Sequence, residues 1–199
     1  MTKPVLHLAS SSPRRRELLG ALGLDFSYCG VDIDETPLPG ETAADMVLRL
    51  ATAKARTAFE TGDYGIPVLS ADTAVVLDER VFGKPESRQD ALDMLAMLSG
   101  RTHEVLTGVA VVVQGSLESA LSRTAVEFRE IRPDEAEAYW QSGEPAGKAG
   151  AYAVQGLGGI FVRAIEGSFT GVMGLPVFET AALLCRAGVV PPGMRATAI

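Results

Sequence analysis

The apolar positions fall into short continuous runs and longer amphipathic segments, and the two kinds alternate along the chain. The short runs predict strands over residues 5–9, 68–77, 105–113 and 120–131. The amphipathic segments predict helices over residues 13–22, 42–59, 87–100, 134–141 and 177–187. Strands and helices in this alternation indicate an α/β domain with a mixed sheet.

Capping residues mark where three of the helices begin. Ser12 is the expected N-cap of the first helix, and Pro13 takes the first helical position, where its missing N–H costs nothing. Thr42 is followed three residues later by Asp45, which is a capping-box spacing. The same spacing recurs at residues 87 and 90, ahead of the third helix.

Two internal segments and the tail lack such periodicity. Residues 78–85 predict a turn-rich return, and residues 147–174 hold eight glycines in 28 positions, so this backbone must turn repeatedly or approach another group closely. We expect residues 1–188 to form a single domain. Residues 189–199 contain two prolines, and we expect this tail to fray.

Composition places the chain among ordinary globular proteins. It has 199 residues, of which 47% are hydrophobic and 22% charged. Cys29 and Cys185 lack C-x-x-C spacing, so neither a disulfide framework nor a zinc site is indicated. No apolar run approaches the roughly 20 residues of a membrane-spanning helix, and no secretory signal pattern is present. We therefore expect a cytoplasmic protein that does not enter a membrane.

The charge balance narrows the choice of ligands. With 25 acidic and 18 basic residues the net charge is −7, which disfavours binding to duplex nucleic acid and to anionic membrane surfaces. An anionic ligand would need a local cluster of basic residues.

Such a cluster stands at the start of the first helix. Arg14, Arg15 and Arg16 occupy its first turn, where the helix dipole disfavours cations. Together with free backbone amides and the preceding serines, these side chains could converge on an anion such as a phosphate. The alternative is that they extend into solvent, and Arg16 fits that alternative best.

Two further charged residues interrupt apolar patterns. Lys54 shares a helix face with apolar residues, so its ammonium either reaches out to solvent or points at buried negative charge. Asp72 interrupts an apolar strand, and burying a carboxylate is costly unless it is paired or bound to a metal. It could instead cap a turn at a strand end. Lys84, in a Gly-Lys-Pro corner, could be directed back towards this strand.

An acidic loop completes the inventory. Asp32, Asp34 and Glu35 precede the second helix; they form either a solvated loop or oxygen ligands for Mg²⁺ or Mn²⁺. Bases for a polyphosphate and acids for a divalent cation are the requirements of metal-assisted phosphoryl chemistry. The sequence has no Walker motif and no G-x-G-x-x-G, so a P-loop or Rossmann enzyme is not indicated.

Several ordered motifs resemble the Maf family of nucleoside triphosphate pyrophosphatases. They lie at residues 8–19 (LASSSPRRRELL), 70–73 (SADT), 83–85 (GKP), 98–103 (LSGRTH), 148–152 (KAGAY), 155–156 (QG) and 174–176 (GLP). The resemblance implies an elongated mixed sheet flanked by helices, with two lobes around a cleft as in inosine triphosphatases. It also implies a divalent metal and a possible homodimer.

Residue roles follow from the same resemblance. Asp72 would be the catalytic acid, and it would hold the metal with Glu35. Phosphate-contacting positions are matched by Ser10, Arg15, Lys54 and Lys84. Positions that set base preference are matched by Arg14, Thr73 and Gln155.

The family resemblance also leaves a choice of substrate. The sequence K-A-G-A-Y-x-x-Q-G is similar to the branch that hydrolyses dTTP, UTP and modified pyrimidine nucleotides to the monophosphate and pyrophosphate. The alternatives are a 7-methyl-GTP pyrophosphatase, or a nucleotide-binding regulator of septum formation in cell division.

Overall fold

The computed structural model describes residues 3–62 and 64–193. Within them lie the strands β1 (Leu6–Ala9), β2 (Phe26–Cys29), β3 (Val68–Leu77), β4 (Arg80–Phe82), β5 (Thr102–Val113), β6 (Ser116–Phe128) and β7 (Val162–Glu166). The α-helices are α1 (Pro13–Gly20), α2 (Ala43–Thr61), α3 (Arg88–Leu98), α4 (Pro133–Gln141), α5 (Phe169–Met173) and α6 (Val177–Arg186). Short 3₁₀ turns cover Ala149–Ala151 and Leu157–Phe161. In the described residues, no helix is both long enough and apolar enough to span a membrane.

The strands form one mixed sheet in the order β2-β1-β3-β5-β6-β7, with β4 paired to β3. β1 runs parallel to both β2 and β3, whereas β4 is antiparallel to β3 and β7 is antiparallel to β6. The predicted α/β fold with a mixed sheet and flanking helices is confirmed.

The chain divides into two compact units. Among the described residues, the first comprises residues 3–62, 64–72, 107–122 and 174–193, and the second comprises residues 73–106 and 123–173. In the first, Leu8, Val47 and Leu69 are fully buried. In the second, Phe128 and Phe161 are buried, and their rings lie 6.3 Å apart.

The close approach of α2 to β5 is permitted by a glycine. A Cβ on Gly108 would lie only 2.5 Å from the carbonyl oxygen of Val47, closer than Cβ atoms come to other atoms. Because α2 carries Lys54, this contact helps to set the position of a candidate site residue.

Three strands of the structure were not predicted, and other strands begin or end at residues different from those predicted. β2, β4 and β7 were not predicted, because they are short: β2 is half-exposed at the sheet edge, and β4 lies in the segment that we expected to be a turn. β6 begins at Ser116 rather than 120, because Gln114 and Gly115 both have positive φ and join it to β5 through a tight turn.

The predicted caps are confirmed for two of the three helices. The Asp45 amide donates to Thr42 Oγ1 at 3.1 Å, and the Asp90 amide donates to Ser87 Oγ at 3.1 Å. Pro13 opens α1 as expected, but the Ser12 side chain makes no capping hydrogen bond, and the Ser12 amide donates to Ser10 Oγ at 3.2 Å.

The tail lies partly outside the described residues. Residues 194–199 are not among them. Before that point, Val189 is buried and its amide donates to the carbonyl oxygen of Leu184 at 2.8 Å.

Candidate active site

The candidate site of the first unit lies where β1 ends. β1 stands between β2 and β3 and is parallel to both, so the chain leaves its carboxyl end at the point where the strand order reverses. In open α/β sheets this point is where ligands bind. The first residue after β1 is Ser10, and α1 begins three residues later at Pro13.

Arg15 is directed back to this end of β1 by two hydrogen bonds. Its Nε donates to the carbonyl oxygen of Gly174 at 2.8 Å, and its Nη1 donates to Ser10 Oγ at 3.3 Å. Burial lowers the pKa of the Arg15 guanidinium, and the positive charge of Arg14 lowers it further. The carboxylates of Asp72 and Glu35 oppose that shift. Arginine stays protonated in proteins, so a fixed cation lies within electrostatic range of both carboxylates.

The register of the parallel strands brings Asp72 to the same end. His7 is opposite Val68 and Leu8 is opposite Leu69. Continuing that register places Asp72 level with Ser11, just beyond the end of β1. β3 runs on past its neighbour, and Asp72 therefore lies beside the turn that leads into α1.

Lys54 binds both acidic residues of the cluster. Its Nζ lies 2.7 Å from Asp72 Oδ1 and 2.5 Å from Glu35 Oε1. The side chains of Lys54 and Asp72 are 11% and 13% exposed, against 54% for Glu35. Of the two alternatives that the sequence left open for Lys54, the structure shows contact with negative charge.

The helical pattern of α2 explains how a lysine reaches this position. Val47, Leu50 and Ala51 are buried on the same face as Lys54, so the long methylene stem packs with them. Only the ammonium must then be compensated, and the two carboxylates do so. Since a buried charge is tolerated when it is paired, the ion pairs account for Lys54 in an apolar face.

A second ion pair holds the loop that carries Glu35. Arg49 Nε donates to Glu41 Oε1 at 2.5 Å, and Arg49 Nη2 donates to the carbonyl oxygen of Thr36 at 3.2 Å. The Leu38 amide donates to Glu41 Oε2 at 3.0 Å. The hydrogen bond from Arg49 lowers the pKa of Glu41 to about 2. The sequence did not predict the pair between Arg49 and Glu41, because the loop before α2 has no periodic pattern that would indicate it.

The oxygens of Glu35 and Asp72 are suited to a divalent cation. They already converge on one cationic atom, the Lys54 ammonium, and carboxylate oxygen is the ligand that Mg²⁺ and Mn²⁺ prefer. Among the described residues, no group of three or more His, Cys, Asp or Glu side chains forms a metal site. Mg²⁺ is commonly bound by one or two carboxylates, and phosphate and water supply its remaining ligands.

Three predicted site residues belong to the second unit. Thr73 follows Asp72 on β3 and is half-buried, whereas Lys84 and Gln155 are exposed. The Gly150 amide donates to the carbonyl oxygen of Gly83 at 3.1 Å, so the Gly-Lys-Pro corner is joined to the segment 148–152.

The other arginines at the start of α1 differ in their surroundings. Arg14 is half-buried. The guanidinium carbon of Arg16 lies 4.3 Å from the centre of the Tyr28 ring, a cation–π contact rather than an extension into solvent.

The fold and the charged cluster are those of an α/β protein with a site of cations and acids at the carboxyl end of the parallel strand β1. The family described as "Maf: Maf-like protein" matches residues 5–187, and the chain belongs to this family. The chain is 52% identical over 184 residues to the dTTP/UTP pyrophosphatase of Methylococcus capsulatus, covering 92% of this chain and 91% of that protein. It is 51% identical over 197 residues to the dTTP/UTP pyrophosphatase of Bordetella avium, covering 95% and 98%.

A solved structure shows a weaker likeness. The Staphylococcus aureus Ham1 protein aligns with a TM-score of 0.42 and 15% identity, over 64% of this chain and 72% of that chain. The family assignment rests on the sequence matches alone.

Proposed function

We propose that this protein hydrolyses dTTP and UTP to the nucleoside monophosphate and pyrophosphate. The observation that carries the proposal is the Lys54 ammonium held between Glu35 and Asp72, with the cation Arg15 within electrostatic range of both carboxylates. Relatives whose sequences are 52% and 51% identical over nearly the whole chain bear the name dTTP/UTP pyrophosphatase, which supports this substrate class. Because nucleoside triphosphates are cytoplasmic compounds, the activity also supports a cytoplasmic location.

The basic residues bind the triphosphate in this proposal. Arg15 is already fixed by Ser10 and Gly174, so its guanidinium needs little reordering to bind a phosphate oxygen. Ser10 adds a hydroxyl at the same place. Lys54 and Lys84 supply ammonium groups for the remaining phosphates. Their positive charge offsets the negative charge that develops on the leaving pyrophosphate.

Asp72 acts on water. Its carboxylate, fixed by Lys54, accepts a proton as the water oxygen forms a bond to phosphorus and the P–O bond of the α–β bridge breaks. Water thus supplies the oxygen gained by one product, and its proton passes through Asp72 to solvent. A divalent cation, Mg²⁺ or Mn²⁺, would be held by Asp72 and Glu35 and would neutralise phosphate charge when bound.

Recognition of the pyrimidine base is assigned to residues other than those that bind the phosphates. The amide of Gln155 offers one donor and one acceptor, which match the O4 and N3 edge of uracil or thymine. Cytosine carries a donor at position 4 and an acceptor at N3, so an amide that is held in the orientation matching uracil discriminates against CTP. Arg14 and Thr73 are assigned to the same task.

The test is pyrophosphate release from dTTP, UTP, CTP, GTP and 7-methyl-GTP, each with Mg²⁺, Mn²⁺ or chelator. Metal-dependent release from dTTP and UTP supports the proposal. Release from 7-methyl-GTP alone would keep the chemistry and refute the assigned base. Binding without any release would instead support a nucleotide-binding regulator of cell division. Sedimentation of the same sample tests the predicted homodimer.

A further inference from the structure

The segment that carries Gln155 is held in place by one carboxylate. Glu144 Oε2 accepts the Leu157 amide at 2.9 Å, and Glu144 Oε1 accepts the Gly158 amide at 2.9 Å. Both amides lie at the start of the 3₁₀ turn that directly follows Gln155 and Gly156. Without the carboxylate these two donors would lack the partner that now fixes them.

Tyr139 connects this carboxylate to the other side of Gln155. The Tyr139 hydroxyl donates to Glu144 Oε1 at 2.6 Å and accepts the Ala153 amide at 3.1 Å. The Tyr139 ring is buried and packs edge-on against Phe161 at 5.2 Å. The segment 153–158 is therefore fixed at both ends through helix α4 and the residues that follow it.

Gly156 lets the carboxylate approach this closely. A Cβ at residue 156 would lie 2.1 Å from Glu144 Oε2. Burial alone would raise the pKa of Glu144, but the Tyr139 hydroxyl and the two backbone amides outweigh burial and lower it. Glu144 is thus ionised at neutral pH, where its hydrogen bonds to the segment are charge-assisted.

We propose that Glu144, together with the Tyr139 hydroxyl, is a positioning residue that sets base selectivity by fixing the backbone on which Gln155 stands. Gln155 itself is exposed, so its reach is determined by the backbone beneath it. This inference rests on the proposed function, in which Gln155 reads the pyrimidine. Phosphate binding and proton transfer are assigned to other residues, so loss of Glu144 changes base recognition far more than the chemical step.

The experiment compares Glu144→Gln with the wild type on UTP and CTP. Glutamine keeps the size of the side chain, but one of its two polar atoms is an NH₂ that cannot accept an amide hydrogen. We expect KM for UTP to rise about tenfold, kcat to stay within about threefold, and the preference for UTP over CTP in kcat/KM to fall about tenfold. Tyr139→Phe keeps the ring and removes only the hydroxyl, so it should cause a smaller change in the same direction.

The matched control is Glu137→Gln. Glu137 lies on the same helix as Tyr139 and binds Arg88. Its replacement removes an ion pair but no hydrogen bond to the segment 153–158. A double-mutant cycle with Gln155→Ala separates positioning from general weakening. If Glu144 acts through Gln155, adding Glu144→Gln to Gln155→Ala changes the UTP/CTP ratio by less than about twofold.

Each outcome decides the proposal. If both Glu144→Gln and Tyr139→Phe lower the melting temperature but keep the UTP/CTP ratio, Glu144 has only a structural role and the inference fails alone. If Glu144→Gln does not fold, Tyr139→Phe decides by the same ratio. If the wild type releases no pyrophosphate from UTP or dTTP, the proposed function fails, and this inference fails with it.

Discussion

The Lys54 ammonium lies 2.7 Å from the Asp72 carboxylate, so this ion pair joins helix α2 to strand β3. Both side chains are nearly buried, and Glu35 provides the second carboxylate at 2.5 Å from the same nitrogen. A cation between two acids can hold a catalytic carboxylate in place before the substrate arrives.

Replacement of Asp72 by asparagine should remove catalysis and keep the fold. Asparagine preserves the shape of the side chain but cannot accept the proton of the attacking water. We expect kcat for UTP to fall by about 10²–10⁴, measured by pyrophosphate release on protein that is still folded at the assay temperature. Asp78→Asn is the control, because Asp78 is an exposed acid paired with Arg101. Near-normal turnover of Asp72→Asn would exclude Asp72 as the proton acceptor.

Replacement of Lys54 by methionine should make stability depend on a divalent metal. Without the ammonium, two carboxylates lose their shared cation, and we expect a loss of about 1–3 kcal/mol in the free energy of unfolding. Mg²⁺ or Mn²⁺ should then raise the melting temperature of the variant more than that of the wild type. Arg56→Met, on the exposed side of the same helix, is the control. Equal responses in all three proteins would argue against a metal held by Glu35 and Asp72.

The pair between Glu41 and Arg49 should make stability sensitive to acid. The pKa of Glu41 is lowered from 4.5 to about 2 in the folded protein. As the pH falls, the unfolded chain therefore takes up this proton at a higher pH than the folded protein does. The contribution of Glu41 is fully present above about pH 4.5 and is lost as the pH falls to about 2. Urea unfolding of the wild type and Glu41→Gln should give a stability difference that shrinks across this range. A difference independent of pH would contradict the prediction.

His103 should add a second acid-sensitive contribution at higher pH. Burial lowers its pKa from 6.5 to about 4, and its Nε2 lies 2.8 Å from the Tyr152 hydroxyl, with Nδ1 unpartnered among the described residues. The unfolded chain therefore binds this proton first, and stability falls by about 3 kcal/mol between pH 6.5 and 4. His103→Gln, which cannot titrate, should show a smaller fall. Parallel curves for the two proteins would mean that His103 does not cause the loss.

Gly108 should not tolerate alanine. A Cβ there would lie 2.5 Å from the Val47 carbonyl oxygen, and backbone has to move to relieve the contact. We expect a loss of about 2 kcal/mol or more in the free energy of unfolding, together with a raised KM for UTP because α2 carries Lys54. At Gly20, an added Cβ would meet no described atom within 4 Å apart from its chain neighbours and its own helix, and Gly20→Ala serves as the control. A Gly108→Ala protein as stable as the wild type would show that α2 can shift freely.

The sequence pattern predicted the elements with strong local signals. Residues 68–77 form the predicted strand with both ends correct, since apolar residues fill it and turn residues follow. Lys54 and Asp72 stood out because each is a charge in an apolar pattern, and burial of a charge requires a partner. The capped helices α2 and α3 were equally clear.

Other features depend on contacts that no local pattern encodes. β2 is four residues long and half-exposed, so its pairing with β1 decides its structure. Glu144 and Leu157 are 13 positions apart, in a stretch where glycines rather than periodicity dominate. The Ser12 side chain makes no capping hydrogen bond although its position before Pro13 favours one, and no local pattern in the sequence indicates this.

The order of the functional groups along the chain has a consequence for engineering. The charged cluster comes entirely from the first 72 residues, whereas Tyr139, Glu144 and Gln155 follow far downstream in the second unit. Chimeras that exchange residues 139–158 between relatives would transplant the Gln155 loop with its own anchors and leave the cluster unaltered. If Gln155 selects the base as proposed, new base preferences are better sought by grafting residues 139–158 together than by changing Gln155 alone.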